Sequence, residues 1–247
     1  MRQVSLIFFL TLMLTCKKEN KEPICRFTKI GKGGNTKLPV TYYNGDTLVK
    51  VGENNPGYTL RFDPQGRLIV REEPALDPYY HSELRYNSFG QVTEQRGYSR
   101  QGNSWVYEDA RLVFTYEEGR MINVREENAG SYFGNMYDHQ VTWEGNNISA
   151  VVHRLNQQPV CTTKFSYDNA VPNPMRRFND FYFCDGNANY TYYKLPFYFS
   201  EHLVTKQEGD CSLSETRLFK YTFTGSGLIE SMSDRGYILW EYEYECK

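Results

Sequence analysis

"LRYNSFGQVTEQR", Leu84 to Arg96, decides how this chain folds. Leu84 and Tyr86 point to one side of an extended strand and Arg85 to the other, because side chains alternate with period two. Asn87-Ser88-Phe89-Gly90 reads as a turn: asparagine bonds to its own backbone, and glycine accepts the positive φ of a tight reversal. A second strand opens at Val92. The pattern recurs in "LRFDPQGRLIVRE" from Leu60, "LVFTYEEGRMINVRE" from Leu112, "QVTWEGNNISAVVHR" from Gln140 and "FKYTFTGSGLIESM" from Phe219. "VTYYNGDTLVKV" from Val40 is a shorter version. The turn glycines Gly45, Gly66, Gly90, Gly119 and Gly145 recur every roughly 21 to 29 residues, the period of repeat architectures.

Each unit has one apolar and one polar face, as an antiparallel sheet allows. Phe219, Tyr221 and Phe223 alternate with Lys220, Thr222 and Thr224. In the last strand Ile238, Trp240, Tyr242, Tyr244 and Cys246 alternate with Glu241, Glu243 and Glu245. No segment from residue 16 onward shows a 3.6-residue period, so helices are not expected. The predicted fold is all-β: an antiparallel meander of repeated hairpins with roughly 14 to 18 strands, at this repeat length. So long a sheet must manage its edges, which predicts a barrel-like or strongly coiled single sheet. A membrane-spanning barrel is disfavoured, because the strands read as shorter than the roughly 9 to 11 residues needed and both faces carry charge.

"YNSFGQVTE", "FDPQGRLIV" and "FTYEEGRMINV" resemble the tyrosine-aspartate (RHS-type) repeat, an aromatic, Asp or Asn, then glycine and an aliphatic strand. With the N-terminal motif below and "FSEHLVTKQEG…FKYTFTGSGLIESM", residues 40 to 245 resemble uncharacterised Bacteroidota-type lipoproteins of porin-like antiparallel β fold. "YDNAVPNP" interrupts the pattern between residues 155 and 215. The resemblance implies that fold and brings no reaction or ligand.

Arg2 and the apolar run Val4 to Leu14 have the form of a signal peptide, too short to span a bilayer. Met13-Leu14-Thr15-Cys16 resembles a lipobox, with Cys16 as the lipidated residue and mature N-terminus. Two or more acyl chains would hold a soluble domain durably at a membrane. The expected domains are a signal peptide over 1–15, a lipidated tether over 16–23 and a single β domain over 24–247. Lys17 stands where an aspartate would resemble an inner-membrane retention signal, so the expected location is the outer membrane, on either face.

The formal net charge of -2 is too balanced to suggest nucleic acid as a partner. Besides Cys16 there are Cys25, Cys161, Cys184, Cys211 and Cys246, an odd number without C-x-x-C spacing. Cys161 and Cys184 flank one predicted hairpin and are the favoured disulfide, with free thiols as the alternative. His81, His139, His153 and His202 lack metal-ligand spacing, so no metal or other cofactor is expected. Gly225-Ser226-Gly227 lacks the pattern of a nucleophile elbow. Asp138, Asp168, Asp180 and Asp185 lack calcium-loop spacing.

The densest aromatic stretch is Phe178 to Phe199. Its ordinary role is packing; its functional alternative is stacking on sugar rings, with Tyr190, Tyr192, Tyr193 and Tyr198 as candidates. Asp46-Thr47-Leu48 matches a bacterial O-glycosylation pattern that would modify Thr47. The expected function is a non-enzymatic, lipid-anchored binding or interaction protein of the cell envelope, with glycan a candidate ligand. The alternative is a structural component with protein partners; a glycan-active hydrolase comes third.

Overall fold

The computed structural model describes residues 25–32, 37–43, 48–51, 58–73, 80–101, 104–128, 136–176, 194–209 and 216–246. These residues form sixteen strands and one short helix. The first eight strands are β1 (Cys25–Lys32), β2 (Leu38–Tyr43), β3 (Leu48–Val51), β4 (Tyr58–Phe62), β5 (Leu68–Glu73), β6 (Tyr80–Tyr86), β7 (Val92–Gln101) and β8 (Ser104–Glu117). Then come β9 (Arg120–Asn128), β10 (Met136–Glu144), β11 (Asn147–Leu155), β12 (Gln158–Pro172), the helix α1 (Leu195–Phe199), β13 (His202–Gly209), β14 (Arg217–Phe223), β15 (Ile229–Asp234) and β16 (Tyr237–Cys246).

Every strand pairs antiparallel with its neighbours in sequence, and β1 also pairs with β16, so the meander closes into a barrel. The closing seam runs from Cys25↔Cys246 to Lys32↔Trp240, and a disulfide joins Cys25 to Cys246 at its end. Two seams are narrow. Among the described residues β1 meets β2 at Lys29↔Pro39 and Ile30↔Leu38, and β13 meets β14 at Lys206↔Leu218 and Gln207↔Arg217.

One local design recurs around the barrel. In several strand pairs the second strand carries an extra residue within its first few pairings. Phe62 pairs with Leu68 but Arg61 with Val70, which leaves Ile69 as a bulge. Thr93, Ile122, Ser149, Thr205 and Glu230 are its counterparts. A bulge bends the strand and increases twist, which is what closing a long sheet requires.

The repeat aromatics exploit the same position. Tyr86 Oη donates to the Leu68 carbonyl at 2.6 Å, and Trp143 Nε1 to that of Met121 at 2.8 Å. Tyr221 reaches Val204 at 2.7 Å, Tyr244 reaches Ile229 at 2.8 Å, and Tyr42 reaches Phe27 at 3.0 Å. Tyr167 donates likewise to Ile148. Each acceptor sits opposite an aromatic of the adjoining strand or at the start of its own, so aromatic tips link one hairpin to the next. Burial raises the phenol pKa of Tyr167, Tyr221 and Tyr244 well above the usual value, keeping them donors.

The barrel interior is apolar at one level and polar at another. Leu60, Leu68, Ile148 and Val151 are fully buried, and Leu112, Phe114, Val124, Phe165 and Val204 join them in one core. A round sixteen-strand barrel leaves an aqueous channel; here apolar side chains and α1, through Leu195 and Tyr198, fill the inside. Further from the turns of the repeat units the inner face carries the buried polar residues Glu126, His139, His153 and Thr163.

The outer wall is charged. Glu94 is buried among Arg85, Arg96 and Arg111; Arg111 also pairs with Glu127, and Arg125 with Asp138. Burial pushes the Glu94 carboxyl up, but hydrogen bonds from Arg96 and Arg111 more than offset this and hold it below the usual range.

Three expectations need correction. The strands are not uniformly short: β8 has 14 residues and β12 has 15, so charge, not length, argues against lipid on the outer wall. Ile238 does not face the core with Trp240: Met232 pairs with Trp240 but Ser233 with Ile238, and the bulge at Leu239 turns Ile238 out to 39% exposure. A helix is also present. "LPFYF" is too short to reveal a period, and proline at its start and the capping bond from the Ser200 N–H to the Pro196 carbonyl define it.

Candidate functional site

The turns of the repeat units, 63–67, 87–91, 118–119, 145–146 and 224–228, gather at one end of the barrel, and the turns 156–157 and 235–236 lie at the other. In the turn 63–67, Asp63 Oδ1 accepts from the N–H groups of Gln65 and Arg67, and Gly66 takes φ +78°. In the turn 87–91, Asn87 Oδ1 accepts from Phe89 and Gln91, and Gly90 takes φ +77°. In 224–228, Thr224 Oγ1 accepts from the Leu228 N–H. The turn at Glu118-Gly119 is tighter, with positive φ at both residues, as two-residue hairpin loops prefer.

The connection from β12 to β13 lies at the same end, because Pro172 pairs with His202. Asn173 anchors it: its Nδ2 donates to the carbonyls of Phe197 and Ser200. Ser200 Oγ accepts from the Ile148 N–H, the Glu201 N–H donates to the Asn146 carbonyl, and the His202 N–H donates to Asn147 Oδ1. This clamps α1 onto the turn between β10 and β11.

Between the turns and this clamp lies a cleft of about 260 Å³. Its aromatic surfaces are Tyr86, Tyr116, Trp143 and Phe199, with Val92 and Met121 beneath and Gly90 and Gly119 at the edge. Its polar groups are Gln91, Asn146, Arg120 and Arg176. The Arg120 guanidinium lies 5.8 Å from the centroid of Trp143 and donates from Nη2 to Asn146 Oδ1 at 3.0 Å. Asn146 Nδ2 donates to Glu201 at 2.8 Å. Gln91 Nε2 donates to the Gly119 carbonyl at 3.1 Å, and its Oε1 accepts from Asn87 at 2.9 Å. Among the described residues lining the cleft there is no Asp, Glu, His, Ser or Cys.

The sequence-predicted residues distribute as follows. Cys16, Thr47, Cys184, Tyr190, Tyr192 and Tyr193 lie outside the described residues. Tyr198 is described and is not an open stacking face: it is 7% exposed and packs in the core through α1. Cys161 is disulfide-bonded. The Cys25–Cys246 bridge was not expected, because only barrel closure brings residues 221 apart in sequence together. His139 and His153 face each other inside, His81 is buried beside Tyr98, and His202 Nδ1 meets Asn147 Nδ2. Among the described residues no group of three or more His, Cys, Asp or Glu is placed to hold a metal.

Sequence reading missed the cleft itself. Three consecutive hairpins each supply one aromatic and one turn residue, and nothing local marks the combination. Phe89, at the tip of the turn that carries Gly90, is 87% exposed.

No protein-family model matches the chain, and no curated protein does. Among solved structures it is similar to a porin-like protein from Bacteroides vulgatus ATCC 8482, with TM-score 0.57 and 12% identity over 90% of this chain and 97% of that one. It is also similar to a porin-like protein from Bacteroides uniformis ATCC 8492, with TM-score 0.44 and 13% identity over 89% of this chain and 98% of that one. At such identity the first likeness speaks for the fold alone: the chain has a porin-like, all-antiparallel β fold.

Proposed function

We propose that this chain is a non-enzymatic, lipid-anchored binding protein of the outer membrane, whose ligand site is the cleft at the repeat-turn end. The cleft carries the reading: aromatic surfaces with a few fixed polar groups are the ordinary make-up of a small-molecule site. Among the described residues its lining offers no carboxylate, histidine, serine or cysteine, which favours binding over hydrolysis. The charged outer wall supports a tethered domain over a spanning one, since an arginine or lysine facing lipid at mid-membrane costs about 2–4 kcal/mol. Anchoring rests on Cys16 in its lipobox-like context.

A screen of the purified mature domain on a glycan array tests the binding reading, with Arg120→Ala as the cleft variant. Glycan binding that the variant loses supports it; an array without any bound glycan removes glycan as the ligand class. Cys16→Ala tests the anchor: the protein should stay unprocessed or leave the membrane fraction, and a matured, membrane-bound variant refutes lipidation. A second reading, an envelope component with protein partners, draws on the exposed Leu218 and Ile238 on neighbouring walls. Co-purification that Leu218→Asp abolishes would favour it.

A further inference from the structure

Resting on the cleft as the ligand site, we infer that its ligand is an acidic sugar, a single carboxylated ring seated on Trp143 with its carboxylate toward Arg120 and Arg176.

The first argument is charge. Both ionic residues of the lining are arginines. Among the described residues Arg120 has no carboxylate partner: its contacts are the Asn146 amide oxygen and the Trp143 face. The outer wall is different, where Arg85, Arg96, Arg111 and Arg125 are paired with Glu94, Glu127 or Asp138. Guanidinium groups left without acid partners beside a cleft suit an anion, and their planar fork matches a carboxylate.

The second argument is hydrogen-bonding capacity. An amide side chain offers two N–H donors and two acceptor sites. Gln91 uses one donor on Gly119 and one acceptor site on Asn87. Asn146 uses one donor on Glu201 and one acceptor site on Arg120. Each amide is held in place by two bonds and keeps one donor and one acceptor. That pair complements a hydroxyl, which also gives and takes one bond, and a sugar ring presents several.

The third argument is shape. The tips of Tyr86 and Trp143 are already committed to backbone carbonyls, so they offer ring surface and not polar atoms. Flat apolar surface suits the C–H face of a pyranose. At about 260 Å³ the cleft lies at the small end for ligand sites, which limits the buried part to about one ring.

The test is calorimetric titration of the mature, disulfide-intact domain with sodium glucuronate and, separately, glucose. Glucuronate should bind about tenfold or more tighter than glucose and weaken as salt is raised. Arg120→Gln and Arg176→Gln should each weaken glucuronate at least severalfold without shifting the unfolding midpoint. Equal affinity for glucose, binding indifferent to both arginine substitutions, or no binding of glucuronate each overturns the acidic-sugar assignment. The reading of the cleft as the ligand site fails separately, if Arg120→Ala leaves every glycan-array signal intact.

Discussion

Inside the barrel His139 Nδ1 stands 2.9 Å from His153 Nδ1, and His153 Nε2 stands 3.1 Å from Thr163 Oγ1. The short contact requires one ring to donate from Nδ1 and the other to leave Nδ1 bare, so the accepting ring is neutral. Burial, reinforced by the neighbouring imidazole and opposed by Asp138, lowers the pKa of His139 from 6.5 to about 3. Above pH 6.5 neither the folded nor the unfolded chain binds this proton, and the full stability is present. As pH falls from 6.5 toward 3, the unfolded chain takes it first and stability declines.

The unfolding free energy in urea should therefore drop by about 2 kcal/mol between pH 6.5 and pH 5, at roughly 1.4 kcal/mol per unit. His139→Gln should remove most of that slope. An unchanged slope in the variant means that His139 is not its source.

Removing one aromatic tip tests the links between hairpins. Tyr221→Phe leaves the Val204 carbonyl without its side-chain donor while keeping the ring, and should cost about 1–2 kcal/mol in denaturant unfolding. Tyr237→Phe, at a position 76% exposed, should cost nothing measurable. Equal effects would show that the tips do not hold the barrel.

Turn glycines separate backbone strain from crowding. A Cβ at Gly90 meets nothing within 4 Å, but the residue sits at φ +77°. Gly90→Ala should thus destabilise by about 1–2 kcal/mol, the usual cost of the left-handed region for an L residue. Gly225 has equal space and no positive φ, so Gly225→Ala should be neutral or slightly stabilising. Thermal unfolding of both variants decides.

The Cys25–Cys246 bridge spans 221 residues. On the chain-entropy account a loop of this length stabilises by up to about 5 kcal/mol. Replacing both cysteines by serine should lower the unfolding midpoint substantially, with β1 and β16 separating first, as hydrogen exchange at Phe27 and Tyr244 would report. Exchange there unchanged in the variant would mean that pairing alone holds the seam.

The hairpins were readable because each one declares itself locally, by alternation before the turn and by a residue at the turn that tolerates its geometry. Tyr86, Asn87 and Gly90 do this within five positions. What was not readable depends on register. The bulges at Ile69 and Thr93 leave no compositional mark, and the one at Leu239 inverts the face expected for Ile238. His139 and His153 meet because β10 and β11 align them, 14 residues apart. The cleft lies a further step away, since Tyr86, Arg120, Asn146 and Phe199 come from four separate turns or segments. The barrel's closure was left open because it depends on two strands at opposite ends of the chain.

That closure makes the domain a covalent circle. With Cys25 and Cys246 bonded and their Cα atoms 4.0 Å apart, the position of the two chain ends is almost arbitrary. A protease that cuts any one loop leaves a single molecule whose halves cannot diffuse apart. A gene that joins residue 246 to residue 25 through a short linker and opens the chain at the exposed Asn156-Gln157 turn should encode the same barrel, with its termini at the far end from the cleft.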